Sequence, residues 1–249
     1  MTWVLDLDGV VWLGDQPIPG SAEAIARLRD RGESVVFVTN NSALTVADYL
    51  AKLERTGVPA TADELVSSAQ VAAGLVTPNS DILVCAGPGV EEALAARPAH
   101  GLRWRGADPP KVDVVMVGWH RDFDYDELTA AMLAVRGGAR LIGTNDDATY
   151  PTPDGAIPGG GSILAAVAYA SGVSPIVAGK PNQPAVDYVR ERKGNVAVVV
   201  GDRPSTDGLF ARRLNAKFYL VLSGVTSTGD LPVDPEPDRV TKDLAELVP

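Results

Sequence analysis

The chain holds a single cysteine, only 6% aromatic residues and a deficit of positive charge: 22 Lys and Arg stand against 32 Asp and Glu, a formal net charge of -10. Cys85 alone cannot close an intrachain disulfide, which suits a reducing compartment. It sits in the apolar run ILVCAG, the setting of a buried strand residue rather than of a nucleophile. The acidic balance argues against nucleic acid or an anionic membrane as the main partner. A small anionic substrate would need local positive charge, from a metal ion or a placed lysine. No apolar run approaches ~18 residues, and the first residues lack a basic stretch followed by a long apolar one. Neither a spanning helix nor a signal peptide is expected, and the expected location is the cytoplasm.

What is present is a globular composition, 45% hydrophobic and 22% charged over 249 residues, enough for a large core carrying a second, smaller domain. Short apolar runs ending in Gly, Asn or Asp alternate with stretches of helical period, the pattern of βαβ units and a parallel sheet. The expected strands are WVLDLD, SVVFVTN, DILVCAG, VDVVMVGW, RLIGTN, PIVAGK, VAVVVGD and KFYLVL. The helical stretches AEAIARLRDRG and VADYLAKLERTG each close on a Gly suited to a helix C-cap. Residues 79–177 read as an α/β domain inserted between two core parts, 1–78 and 178–249, with TPNS and SPIVAG as hinges. PVDPEPD near the end reads as an irregular surface segment.

Four expected strands end in polar clusters: DLDGV, VTNNS, AGKPN and VGDRPSTD. Ligands of open parallel sheets bind at the carboxyl ends of strands, beside the switch in strand order, so the four ends would form one site. Asp6 and Asp8, two residues apart, share a strand face and repel unless a cation stands between them. A carboxylate there can attack phosphorus and split one hard displacement into two easier ones. Asp6 is the expected nucleophile, and Asp8 the acid that protonates the leaving oxygen and then deprotonates water. Asp202 and Asp207 add hard oxygen ligands suited to Mg²⁺. Thr39, Asn40 and Asn41 offer donors for phosphoryl oxygens, with Ser42 as a helix N-cap. Lys180, between Gly and Pro, supplies a point charge.

With these clusters in order, the chain resembles the haloacid dehalogenase superfamily, and within it the NagD-like, p-nitrophenylphosphatase-type branch. DLDGVVW, VTNNS, AGKPN and GDRPSTD carry the resemblance, supported by VGWHRDFDYDEL and TNDDATYPTPDGAIPGGGSILAAV. It implies a Rossmann-like parallel-sheet core with a large inserted α/β cap, and Mg²⁺-dependent hydrolysis of small phosphate monoesters. It further implies metal ligation by Asp6, the backbone carbonyl of Asp8, and Asp202, with Asp207 orienting metal-bound water or Lys180. Thr39 with Asn40 matches the phosphate-holding second motif, and Lys180 the third. Asn145 and Asp147 match a cap loop that in relatives faces the site, and are the expected specificity residues. PGGGS precedes a helix whose N-terminus could attract an anion.

Departures from the branch pattern are Ser205 and Gly208, where relatives often carry an acid and a β-branched residue, and His120 in place of Asp. The partner expected is a small phosphorylated metabolite, such as a sugar, glycerol, glycolate, nucleoside or pyridoxal phosphate. An exposed cap edge would suit a homodimer. Two rivals remain at this stage: a phosphotransferase or mutase passing the aspartyl phosphate to a hydroxyl, and a non-catalytic phosphometabolite-binding regulator.

Overall fold

The computed structural model describes residues 1–152 and 154–249. The first part of the chain forms β1 (Thr2–Leu5), a small hairpin of β2 (Trp12–Leu13) and β3 (Gln16–Pro17), α1 (Ser21–Asp30), β4 (Ser34–Thr39), α2 (Val46–Arg55), β5 (Leu65–Ser67) and α3 (Ser68–Gly74). Next come β6 (Asp81–Cys85), α4 (Pro88–Ala95), β7 (His100–Leu102), β8 (Val114–Val117), α5 (Tyr125–Arg136), β9 (Arg140–Gly143), β10 (Thr149–Thr152), β11 (Gly155–Pro158), α6 (Gly160–Ser171) and β12 (Ile176–Val177). The chain closes with α7 (Gln183–Lys193), β13 (Val196–Gly201), α8 (Leu209–Leu214), β14 (Lys217–Val221), β15 (Arg239–Thr241) and α9 (Leu244–Leu247).

Two parallel sheets result, one in the order β15-β14-β13-β1-β4-β5 and one in the order β12-β9-β8-β6-β7. This is the expected α/β class, a Rossmann-like core with an α/β cap. All eight expected strands form. One lies elsewhere than expected: the PIVAGK strand, β12, pairs with β9 in the second sheet, so Lys180 leaves the edge of the cap sheet rather than a core strand. Sequence reveals a strand but not its hydrogen-bonding neighbour, and this one is only two residues long.

Continuous apolar runs reflect burial on both faces. Along β4, Val35 and Phe37 enter a cluster with α1, α2 and α9, while Val36 and Val38 enter another with α3, α7 and α8. That second cluster continues without a break into Ile82, Val84, Met116 and Ile142 of the cap sheet. The cap sheet's other face packs on α5 and α6. Core and cap thus share one apolar interior. Cys85 belongs to the cap core, and burial pushes its thiol up, as befits an inert strand residue.

Helices α1 and α2 are followed by Gly32 and Gly57 with positive φ, as the sequence pattern implies. Ser42 does not cap α2. Thr45 does, in a reciprocal box with Asp48, while the Ser42 hydroxyl meets Thr144 Oγ1 at 2.9 Å. An isolated Ser reads as a cap only until a better-placed Thr-x-x-Asp follows it. Among the described residues no helix is long and apolar enough to cross a membrane.

Phe37 is wholly buried beneath α1 and α2. Phe37→Ala should cost about 3–5 kcal/mol, the range for truncating a buried aromatic, read as a lowered denaturation midpoint at unchanged slope.

Candidate active site

Strand order reverses at β1, which has β13 on one side and β4 on the other. The crevice beyond their carboxyl ends is where such sheets take ligands. Asp6 follows β1, Asn40 follows β4 and Asp202 follows β13. A cleft opens there. Asp6, Asp8, Thr39, Asn40, Asn41, Asn145, Asp147, Lys180 and Asp202 all line it. Asp207 lies behind them, with no exposure.

Lys180 is 2% exposed, and its Nζ stands 2.7 Å from Asp207 Oδ1 and 3.0 Å from Asp6 Oδ1. Burial alone would drive the ammonium to lose its proton, but Asp207 and Asp6 outweigh it and hold its pKa above the usual lysine value. Asp6 is pushed well above the carboxylate range by burial, with Lys180 opposing and Asp207, Asp202 and Asp8 adding repulsion. Burial and Asp207 push Asp202 up to about 7, against the hydrogen bond that Val225 N–H donates to its Oδ2 at 2.6 Å. One ammonium therefore stands among three carboxyl groups. Oxygens of Asp6, Asp202 and Asp207 all lie within 4.8 Å of one another, an all-oxygen set of the kind hard divalent cations take.

Glycine makes this crowding possible. Gly9, at φ 83°, and Gly224 both abut the Asp202 carboxylate, and a Cβ at either would overlap it. Gly208, one of the departures, is explained the same way: a Cβ there would fall 2.7 Å from Pro235 and 2.9 Å from the Phe218 ring. Ser205 is exposed, and nothing in the structure explains it.

Asp8 behaves differently from its neighbour. Its Oδ1 accepts from Trp12 Nε1 at 3.1 Å and from the Tyr150 hydroxyl at 3.0 Å. Burial raises its pKa, while Lys52, Tyr150 and Trp12 restrain the rise. The second cluster is braced from the cap: Asn145 Nδ2 donates to the Asn40 carbonyl at 2.7 Å, and Asn40 Nδ2 donates to Asp147 Oδ2 at 2.9 Å. The N–H of Asn41 is engaged by Thr39 Oγ1 at 3.1 Å. Asn145 and Asp147 therefore tie the cap loop to the VTNNS loop as well as lining the cleft. The helix after PGGGS begins within the glycines, and Gly159 and Gly160 line the cleft.

Sequence reasoning passed over Trp119, Tyr150 and Arg203, which complete the wall. Trp119 stacks on Tyr150 at 5.4 Å between centroids, and its Nε1 donates to the Pro158 carbonyl. The available signal was an aromatic followed at once by Pro, just after the polar TNDD loop. His120, next to Trp119, does not line the cleft. Its Nδ1 lies 3.1 Å from the Gly118 carbonyl and its Nε2 3.0 Å from Glu127 Oε2.

The amino-terminal 3–98 and carboxyl-terminal 177–247 regions match the family descriptions haloacid dehalogenase-like hydrolase and HAD-hydrolase-like. An acid sugar phosphatase of Staphylococcus saprophyticus is 33% identical over 99% of this chain and 96% of its own. The solved p-nitrophenyl phosphatase of Archaeoglobus fulgidus superposes with a TM-score of 0.90 at 28% identity, covering 99% of this chain and 97% of that one. A glycerol phosphate phosphatase of Mycobacterium tuberculosis, solved with magnesium, gives 0.87 at 32% identity over 99% and 78%. The fold and the acidic site with its buried lysine are those of a haloacid dehalogenase-like hydrolase, and the chain belongs to that family, in its NagD-like, p-nitrophenylphosphatase-type branch of phosphatases.

Burial disfavours a charged His120, but Glu127 and the Gly118 carbonyl outweigh it and raise its pKa. A raised folded-state value means stability that is complete below the unfolded value and lost as pH rises through the folded one. The Tm deficit of His120→Gln against the natural protein should therefore be larger near pH 6 than near pH 9, by calorimetry.

Proposed function

We propose that the protein is a Mg²⁺-dependent phosphatase that hydrolyses small phosphate monoesters by two displacements at Asp6. The observation that carries this reading is the cluster of Asp6, Asp202 and Asp207 around a buried Lys180, with Asp8 beside it but tied to other partners. Asp6 and Asp202, with the Asp8 carbonyl and Asp207 beside them, would hold Mg²⁺, which supplies charge neutralisation between the attacking carboxylate and the phosphoryl group. Lys180 adds a fixed positive charge on the same side. Asp207, bonded to that ammonium, keeps it charged and aimed.

Asp6 attacks phosphorus while Asp8 gives its proton to the departing oxygen, leaving an aspartyl phosphate and a free alcohol. Asp8, now a carboxylate, removes a proton from the water that attacks the aspartyl phosphate. Phosphate leaves, and both acids return to their starting state. Thr39 and Asn40, the latter held in place by Asn145 and Asp147, line the phosphoryl pocket. Trp119, Asn145, Asp147 and Tyr150 form the wall toward the leaving group on the cap side of the cleft, with Arg203 joining them from the core. The relatives' names make sugar and glycerol phosphates the first esters to test.

Asp6→Asn is nearly isosteric and removes the nucleophilic charge. It should lower phosphate release roughly 10³-fold or more at saturating Mg²⁺ while leaving the thermal transition in place. Release at the natural rate, with deamidation excluded by mass spectrometry, would falsify the mechanism. Chelation should abolish turnover and added Mg²⁺ restore it. Asp202→Asn should weaken Mg²⁺ binding by at least about tenfold, measured by titration calorimetry on the resting protein. Unchanged Mg²⁺ affinity in that variant would remove Asp202 from the ligand set.

A further inference from the structure

Two side chains from opposite sides of the cleft donate to the same oxygen of Asp8. Trp12, on β2, approaches from the core, and Tyr150, on β10, from the cap. Neither is a loose surface group. Trp12 is 1% exposed, with Lys52 Nζ 4.4 Å from its ring centroid, and Lys52 in turn donates to the Gly14 carbonyl at 2.7 Å. Tyr150 pairs with Ile157 across the β10–β11 hairpin and stacks on Trp119, which is itself bonded to that hairpin at Pro158.

We propose that Tyr150 is a positioning residue for Asp8: with Trp12 it fixes Oδ1 and leaves Oδ2 as the oxygen that gives and takes the proton. The proposal rests on the reading of Asp8 as acid and base. A carboxyl that accepts two donors on one oxygen carries its own proton on the other. With both donors in place, the carboxyl group cannot swing about its side-chain bonds, and Oδ2 holds one direction. In the first displacement the P–O bond to the alcohol breaks, the leaving oxygen takes the proton from Oδ2, and Asp6 keeps the phosphoryl group. In the second, Oδ2 takes a proton from water as the new P–O bond forms and the bond to Asp6 breaks.

Half of this anchor belongs to the cap. Withdrawal of the hairpin would leave Asp8 held by Trp12 alone, so acid catalysis depends on the cap being seated over the cleft. A leaving group seated against Trp119 and Tyr150 would therefore meet an oriented acid.

The test compares kcat/KM for phenyl phosphate and p-nitrophenyl phosphate, which are close in shape but differ in how much the leaving oxygen needs a proton. Both parameters report steps up to the first P–O cleavage. Tyr150→Phe keeps the ring, its stacking on Trp119 and the hairpin pairing. It should lose roughly tenfold more on phenyl than on p-nitrophenyl phosphate, one of two anchors being removed from a general acid. In an Asp8→Asn background the same change should cost nothing further on phenyl phosphate, since a residue that acts through Asp8 has nothing left to act on. Equal losses on the two esters, or an equal loss in both backgrounds, would overturn the proposal while leaving the phosphatase reading intact. If Asp8→Asn itself shows no preference for the better leaving group, the acid role of Asp8 fails and the proposal falls with it.

Discussion

Four ionisable groups, three acids and one lysine, stand together at the centre of this protein, largely out of water. Taking a carboxylate or an ammonium from water costs several kcal/mol unless partners replace its hydration, and Lys180, with the N–H groups of Leu7 and Arg203, replaces it for Asp6 and Asp207. The constraint explains features that would otherwise look unrelated. Glycines at 9 and 224 let backbone close around Asp202, and Val225 N–H meets its outer oxygen. The sheet reverses its order beside β1, so that carboxylates from β1 and β13 converge without crossing chains. A fold that presses like charges together is a fold prepared for a cation.

The second consequence is that core and cap are chemically interleaved. Lys180 leaves the cap sheet and ends among core acids. Asn145 and Asp147 leave the cap and brace the loop after β4. Tyr150 leaves the cap hairpin and reaches the acid that follows β1. Of the residues beyond the ends of the core strands, Asn40 and Asp8 each meet a side chain that the inserted segment supplies. Loops placed on a rigid scaffold carry function; here loops of the inserted segment also meet core residues that line the cleft.

Much of this was readable from residue order, and the reasons it was readable are physical. Strands buried on both faces announce themselves as unbroken apolar runs, and the acids and amides that end them cannot be mistaken for core. Asp6, Asp8, Lys180 and Asp202 stood out because polar groups at strand ends need partners. Where the reading failed, the missing quantity was a neighbour in space. Nothing in PIVAGK says that Ile176 pairs with Ile142 rather than with a core strand. An aromatic in TYPTP satisfies strand propensity whether or not its hydroxyl meets a carboxylate. His120 stands where relatives carry Asp, and its ring turns to Glu127 rather than to the cleft.

The apolar cluster that runs from Val36 and Val38 through α3 and α7 to Met116 and Ile142 gives the inserted segment an unusual standing. It is not a detachable lid on a finished enzyme. A cap exchanged from a relative would have to bring its half of that interior with it. The side chains that face the cleft stand on a foundation that neither part can replace alone.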